Sequence, residues 1–260
     1  MFEPSRQRYL LDPGRLLPAI GPIVLFMLWY GVVELHLVNP VLLPSPWAAL
    51  TALRDAITNG SLQHDFFATL ARTLESFLIA TAVGVPAGIL LGSNERGYRS
   101  VEFLIDFFRS TPSSALIPLF MMIFGVTDIN KIAIAAFAAV LVILFNSAYG
   151  VMNARKQRVM AAKVMGATRL QIFRDVLIWE SLSQTFVGLR SGVSMALVIV
   201  IVAEMFIGSE NGLGHRIIDA QQVLNVKDMY ASILATGILG YALNVLFLIL
   251  EKFVVHWNGK

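Results

Sequence analysis

The sequence predicts an all-α, polytopic membrane protein, and three observations support this fold class. Of the 260 residues, 57% are hydrophobic and 14% are charged, whereas soluble domains carry about 25% charged residues. The apolar residues also gather in runs close to the ~20 residues with which a helix crosses a bilayer. Basic residues, finally, concentrate in alternate connections between these runs. A large soluble helical protein is the alternative that this composition disfavours.

Six apolar runs give the predicted membrane spans. They lie near residues 18–38, 66–92, 101–125, 131–152, 182–207 and 229–251. The first run follows several arginines, as the apolar part of a signal peptide would, but no small-x-small cleavage site follows it, so we expect a retained span. The expected organisation is a cytoplasmic segment at 1–17, a transmembrane domain at 18–251 with a basic loop at 153–180, and a cytoplasmic tail at 252–260.

The basic residues predict that both termini face the cytoplasm. In this orientation the cytoplasmic side holds Arg6, Arg8, Arg15, Arg96, Arg99, Arg155, Lys156, Arg158, Lys163, Arg169, Arg174, Lys252 and Lys260. The outer side holds Arg54, Lys131, Arg216 and Lys227. The excess on the cytoplasmic side satisfies the positive-inside rule.

Two outer segments have the pattern of short amphipathic helices. Ser45 is a candidate N-cap and Pro46 a first-turn proline. The apolar face of the helix that follows would be Trp47, Leu50, Leu53 and Ile57, which predicts a helix in the outer interface. A second short helix is expected from Arg216 to Leu224.

Small residues repeat every fourth position on two of the spans. They are Ala80, Gly84, Gly88 and Gly92 on the second, and Gly188, Gly192 and Ala196 on the fifth. Such stripes let helix backbones approach closely in a membrane. They indicate packing within the chain or, for one of them, a dimer axis.

Polar residues inside the spans are the candidates for a translocation path, since charges in a membrane usually face a cavity or a partner. The candidates are Arg109, Ser110, Ser113, Asn146, Arg190 and Glu204, with Arg72 and Asn244 as further polar positions. Several arginines near the midplane would suit an anion. Alternatively, Arg72 and Arg190 reach the headgroups or pair structurally, and Glu204 is an arginine counter-ion.

Catalytic motifs are not recognisable in this chain. It has no Gly-x-x-x-x-Gly-Lys-Ser/Thr loop for nucleotide phosphates, no Gly-x-Ser-x-Gly elbow, and no pair of histidines at metal-ligand spacing. It also contains no cysteine. We therefore expect a non-enzymatic chain without its own cofactor or metal.

The loop between the fourth and fifth spans differs from the apolar runs around it. From Met160 to Trp179 small residues, a glycine and spaced basic residues predict two short helices with a turn at Gly166, where glycine tolerates a positive φ. The first helix would expose Ala161 and Ala162 as a flat face. The second would bury Leu170, Phe173 and Leu177. A folded basic loop of this kind suits a soluble partner.

This loop resembles the EAA coupling loop in permease subunits of bacterial ABC importers. The matching residues are Ala161, Ala162, Gly166, Ala167, Phe173 and Val176, while Met160 replaces the usual glutamate and Trp179 the usual proline. Further segments resemble the nitrate/sulfonate/taurine branch of that family, which also includes bicarbonate transporters. These are Leu43-Pro44-Ser45-Pro46, Ala115-Leu116-Ile117-Pro118-Leu119, Val202-Ala203-Glu204-Met205, and Gly212-Leu213-Gly214 followed by Ile218-Asp219-Ala220.

The resemblance implies a type I importer permease in a bacterial inner membrane that moves a small, anionic solute into the cytoplasm by alternating access. It implies a cytoplasmic ABC ATPase that binds ATP and Mg, a periplasmic substrate-binding protein, and a second permease copy or a different permease chain. The implied coupling residues are Met160, Ala161, Ala162, Gly166, Ala167, Arg169, Phe173 and Val176. An ATP-independent carrier or channel and a membrane scaffold are the alternative functions.

Overall fold

The computed structural model describes residues 17–255 except residues 40 and 209, and within these ranges all regular structure is helical. In chain order the helices are α1 (Leu17–Glu34), α2 (Pro46–Thr58), α3 (Gln63–Gly92), α4 (Glu95–Ser110), α5 (Ile117–Phe124), α6 (Asp128–Met152), α7 (Lys156–Val164), α8 (Arg169–Ile172), α9 (Ile178–Phe206), α10 (Leu213–Gln222) and α11 (Val226–Val254). A π-helical turn, Phe173–Leu177, joins α8 to α9. Arg6, Arg8, Arg15 and Lys260, and most of the predicted terminal segments, lie outside the described residues.

Four helices in the described part of the chain are long and apolar enough to cross a membrane. They are α3, α6, α11 and the continuous stretch Arg169–Phe206. The helix pair Glu95–Ser110 and Ser113–Phe124 passes the same criteria together, but it is bent by 90°. The apolar part of α1, Ile20–Glu34, is shorter. The all-helical polytopic class is confirmed, with four or five long spans in place of six equivalent ones.

The third predicted span, 101–125, is divided into two helices by this bend. Thr111 has an extended backbone with ψ 124°, which is the conformation that a following proline favours. Pro112 has no N–H with which to continue the helical ladder. A 3₁₀ turn, Ser113–Leu116, therefore separates α4 from α5.

Helix α6 lies between α3 and α9, and glycines allow both contacts. On the α3 side, a Cβ at Gly88 would lie 2.5 Å from the carbonyl oxygen of Leu144, and one at Gly92 would lie 2.5 Å from that of Ala148. Real Cβ atoms do not approach so closely, so these positions require glycine. On the α9 side, a Cβ at Gly188 would lie 2.6 Å from Cβ of Asn146. Both small-residue stripes pack against α6 within the chain, which is the first of the two alternatives.

Helix α2 begins as predicted, and it packs on the protein through a different side from most of its predicted apolar face. The Ser45 hydroxyl accepts a hydrogen bond from the Ala48 amide at 3.2 Å, and Pro46 is the first helical residue. The buried side consists of Pro46, Ala49, Leu53 and Ala56, which pack near α11. Of the predicted apolar face only Leu53 is buried, whereas Trp47, Leu50 and Ile57 are exposed. The reason is that the small alanines allow close packing on the other side of the helix.

Candidate coupling site and translocation path

The loop between α6 and α9 folds into a helical hairpin whose turn is Gly166. Its φ is +83°, a left-handed conformation that L side chains rarely adopt. At this turn the amide of Ala167 donates to the carbonyl of Ala162 at 3.0 Å, which closes α7. Thr168 then begins α8 with a capping box formed with Gln171. The two predicted helices and their glycine turn are therefore present.

The tip of this hairpin carries large apolar side chains on its surface. Met160 is 69% exposed, Val164 84%, Met165 79% and Leu170 74%. The basic residues around them are also exposed, namely Arg155, Lys156, Arg158, Lys163, Arg169 and Arg174. Ala161 lies on the exposed side, and Ala167 and Val176 are half-buried. An apolar surface ringed by cations is suited to a protein partner.

Two expectations for this hairpin are wrong at the level of side-chain direction. Ala162 is buried and only Ala161 is exposed, so the two alanines do not form one flat surface. Leu170 is exposed, and Ile172 is the buried residue of α8. The π-helical turn that follows shifts the helical phase, so a pattern based on 3.6 residues per turn assigns the wrong side chains inward. Phe173 and Leu177 are partly buried beside a groove of about 600 Å³.

The hairpin is fixed to α9 by a charged contact at its base. Glu180 on α9 accepts hydrogen bonds from the Arg158 guanidinium and, at 3.4 Å, from the Arg155 amide. The Glu180 side chain is 11% exposed. Displacement of α7 would therefore pull on the beginning of a span.

At the opposite end of α3, α6 and α9, a buried arginine and glutamate join three elements. Arg72 donates to Glu204 at 2.7 Å and to the side-chain oxygen of Asn211 at 2.6 Å, and forms an ion pair with Asp128 at 3.0 Å. The Glu204 side chain is completely buried. Thr69 donates to it at 2.9 Å. In this conformation Glu204 does not border any open path, and Arg72 pairs instead of reaching the headgroups.

The glycine motif after α9 encloses that carboxylate. The Gly214 amide donates to Glu204 at 3.0 Å. At Gly212 φ is +123°, and a Cβ there would lie 2.4 Å from the Glu204 carboxyl carbon. Helix α10 starts at Leu213, three residues before the predicted start at Arg216. Arg216 itself pairs with Asp65 at 3.4 Å and with Asp228 at 2.8 Å, which ties α10 to α3 and α11.

The other polar candidates have separate surroundings. Arg109 is partly exposed, lies 3.7 Å above the Phe145 ring and approaches Asp106 at 3.4 Å. Ser110 is exposed and Ser113 half-buried, next to the bend. Asn146 accepts a hydrogen bond from Gln184 at 3.0 Å and so joins α6 to α9. Arg190 lies on α9 beside Asn244 of α11. The structure does not bring these candidates together into one site.

Comparison with known proteins identifies the family. Residues 84–258 match the model of the "Binding-protein-dependent transport system inner membrane component" family. A probable ABC transporter permease protein from Brucella abortus is 31% identical over 89% of this chain and 91% of its own length. The chain belongs to this permease family. The permease is also 26% identical to a putative aliphatic sulfonates transport permease protein from Bacillus subtilis, over 99% of this chain and 92% of the relative.

A solved structure agrees with the fold of the permease. An inward-facing MetNI methionine ABC transporter has a chain that superposes with a TM-score of 0.61 at 24% identity, covering 72% of the permease and 92% of that chain. The predicted nitrate/sulfonate/taurine branch of ABC importer permeases is confirmed. The permease is thus a multi-pass transport subunit of an ABC importer.

Several residues that hold the permease together were not recognised from the sequence. Asp128 and Asn211 bind Arg72, and Thr69 binds Glu204, from positions far away along the chain. The sequence did indicate part of this cluster, because Glu204 and Gly212 lie in motifs that carry the family resemblance. The partners could not be assigned because no periodicity connects them.

Proposed function

We propose that the permease imports a small anion across the bacterial inner membrane by alternating access, driven by ATP hydrolysis on a partner. The observation that carries this proposal is the α7–α8 hairpin, with its exposed Met160, Val164, Met165 and Leu170. Two ATPase subunits would each bind one hairpin of a permease dimer. ATP and Mg would be bound by those subunits, and a periplasmic binding protein would deliver the solute.

The same hairpin supports the proposed orientation. Its exposed basic residues belong on the cytoplasmic side, where ATP is available. The cluster of Arg72, Glu204 and Arg216 then lies on the periplasmic side together with α2 and α10. We propose that α2 and α10 present the surface to which the binding protein docks.

Coupling requires that the ATPase bind the two conformations of the permease with different affinity. Phe173 and Val176 would anchor the hairpin, Gly166 would set its turn, and Ala161, Ala167 and Arg169 would approach the partner. Met160 gives adaptable apolar contact where a glutamate would give an ion pair. The contact at this point would therefore depend less on salt than one made by a carboxylate.

The translocation path would be lined by Arg109, Ser110, Ser113 and Arg190. An anionic solute suits these positions, and the relative named for aliphatic sulfonates supports the same solute class. Asn146 and Glu204 were also expected in the path, but their contacts support structural roles instead. Asn146 bonds to Gln184, and Glu204 is enclosed by Arg72, Thr69 and Gly214.

The test is uptake by the purified assembly in proteoliposomes, with and without enclosed ATP. The solute is chosen by titrating the cognate binding protein with nitrate, taurine, methanesulfonate and bicarbonate. We expect uptake to require ATP and the binding protein. Uptake without ATP would favour a carrier or channel, and ATP hydrolysis without uptake of any bound solute would contradict the import function.

The composition of the dimer is tested by weighing the intact assembly. We propose two identical permease chains. A second, different permease chain in the complex, carrying a glutamate at the position of Met160, would replace the homodimer with a heterodimer.

A further inference from the structure

Arg190, near the middle of α9, is an arginine whose side chain has no partner among the described residues. Arg190 is close to the centre of the helix, Ile178–Phe206, and roughly 18 Å from its first residue at 1.5 Å per residue. Its side chain forms no hydrogen bond or ion pair with any residue in the described ranges. This differs from Arg72, whose guanidinium binds Glu204, Asp128 and Asn211. A guanidinium stays charged at all accessible pH values.

Arg190 borders two cavities beside α9 and α11, and both are open to the surface of the chain. The first, of about 400 Å³, is lined by Arg190, Ser191, Ser194, Met195, Val198 and Asn244. The second, of about 390 Å³, lies towards the end of α11 and includes Glu251 and Lys252. Among the described residues, no acidic side chain lines the first cavity, whereas charges of both signs line the second. An anion would therefore be attracted to the first cavity and would meet a carboxylate in the second.

The side chains of the first cavity can provide several hydrogen-bond donors at once. The guanidinium has five N–H donors, and the Ser191 hydroxyl and the Asn244 amide add others that have no partner among the described residues. The Ser194 hydroxyl donates to the Arg190 carbonyl at 3.2 Å, and rotation of that hydroxyl would free it. Arg109, by comparison, already has Asp106 and the Phe145 ring as neighbours.

A lipid environment does not suit this face of α9. An unpaired charge in the middle of a bilayer is costly, so such residues face a water-filled cavity or a protein partner. The exposed serine next to the arginine points to water and a polar ligand, since lipid offers neither residue a hydrogen bond.

We infer that Arg190, with Ser191, Ser194 and Asn244, forms a binding site for a small oxyanion of the sulfonate or nitrate type inside the membrane. This inference rests on the proposed import of an anion, and it gives the solute a binding site along the path through the permease. Arg190 supplies the charge, and the hydroxyl and amide groups bind the remaining oxygens.

The test uses the absence of native cysteine from this chain. Ser191→Cys places one thiol beside Arg190 in the otherwise complete assembly. The thiol is reacted with two methanethiosulfonates of similar size, one carrying a sulfonate and the other a trimethylammonium group, and modification of the permease chain is followed by intact mass. We expect the anionic reagent to react about tenfold faster, because a fixed cation concentrates anions in a cleft.

Two double variants separate the site from a general effect of charge. In Arg190→Met/Ser191→Cys the preference should fall to about twofold or less. In Lys252→Gln/Ser191→Cys, which removes a positive charge from the neighbouring cavity, the preference should remain. Sodium methanesulfonate or nitrate should slow labelling of Ser191→Cys, while gluconate at the same ionic strength should not.

Other outcomes overturn the site. A thiol that neither reagent modifies, at position 191 and in a second variant, Ser194→Cys, would show a face covered by lipid or protein. Equal protection by gluconate, or a preference that survives Arg190→Met, would show that Arg190 does not bind the anion. These measurements do not depend on transport, so ATP-dependent uptake measured in parallel reports separately on the proposed function.

Discussion

At the scale of single residues, the burial of the charged pair Arg72 and Glu204 has a high free-energy cost that other contacts of the permease must offset. Transfer of two charges out of water is expensive, and their attraction offsets this only if further hydrogen bonds satisfy both groups. Here Thr69 and the Gly214 amide bind the carboxylate, while Asp128 and Asn211 bind the guanidinium. Because these groups come from α3, α6, α9, α10 and the segment before α10, loss of one charge affects five parts of the fold.

We predict that Arg72→Met strongly destabilises the permease. Loss of the guanidinium leaves Glu204 charged and enclosed, and breaking such a pair costs about 3–5 kcal/mol. Thermal unfolding of the purified chain in detergent measures the effect. The matched control is Arg99→Met, which breaks the exposed pair with Glu95 and should cost about 0.5 kcal/mol or less.

The double variant Arg72→Met/Glu204→Gln distinguishes the buried charge from lost packing. A glutamine oxygen can still accept the Gly214 and Thr69 hydrogen bonds without carrying a charge. We expect the double variant to recover at least half of the lost unfolding temperature. If it is no more stable than Arg72→Met alone, the uncompensated carboxylate is not the cause.

The second prediction at the scale of residues concerns Gly166. Its φ of +83° and the open space around it mean that a larger residue would be strained by backbone conformation and not by a clash. Gly166→Val should insert into the membrane but lose stimulated ATP hydrolysis and uptake. Gly166→Asn is the control, because asparagine tolerates this conformation, and it should retain most of both activities. Full transport by Gly166→Val would place the coupling element elsewhere.

At the scale of helices, the sequence predicts the helix ends, which depend on hydropathy. It misses the bend and the buried faces, which depend on packing against neighbouring helices. The ends of α3 and α6 agree with the predicted spans to within three residues, since apolar runs end where charges begin. The right-angled bend after Ser110 is not visible in the hydropathy pattern, because Pro112 interrupts a helix without fixing the angle at which the chain continues. The π-helical turn after Ile172 has no sequence pattern of its own, so the inward face of α8 was assigned incorrectly.

The small-residue stripes give a prediction for the contact of α3 with α6. In an exposed helix, alanine is favoured over glycine by about 1 kcal/mol. Gly88→Ala should nevertheless destabilise the permease by about 1–3 kcal/mol, because its Cβ would meet the Leu144 carbonyl oxygen at 2.5 Å. Gly237→Ala on α11, where no described atom lies within 4 Å of the new Cβ, should be neutral or stabilising. Equal stability of the two variants, by thermal unfolding, would contradict the close approach.

At the scale of the whole molecule, the two ends of the bundle differ in chemistry. One end carries the α7–α8 hairpin, with apolar side chains exposed among cations. The other carries α10, joined to the spans by Arg216, Asp65 and Asp228. Glu180 links the hairpin to the start of α9, and Glu204 links the end of α9 to α3. A single long helix thus connects the surface proposed for the ATPase with the surface proposed for the binding protein.

This polarity predicts the orientation of the permease in the membrane. Val164→Cys at the hairpin and Val223→Cys after α10 introduce thiols at positions that are 84% and 73% exposed in the native chain. The unmodified chain, which lacks cysteine, is the background control. In intact spheroplasts a membrane-impermeant maleimide should label Val223→Cys and not Val164→Cys, whereas lysis should expose both.

In inverted vesicles, labelling of Val164→Cys should increase once the ATPase subunits are stripped, because they would cover the hairpin. Labelling of Val164→Cys instead of Val223→Cys in spheroplasts would show the opposite topology. Labelling of Val164→Cys that does not change when the ATPase is stripped would show that the ATPase does not bind the hairpin.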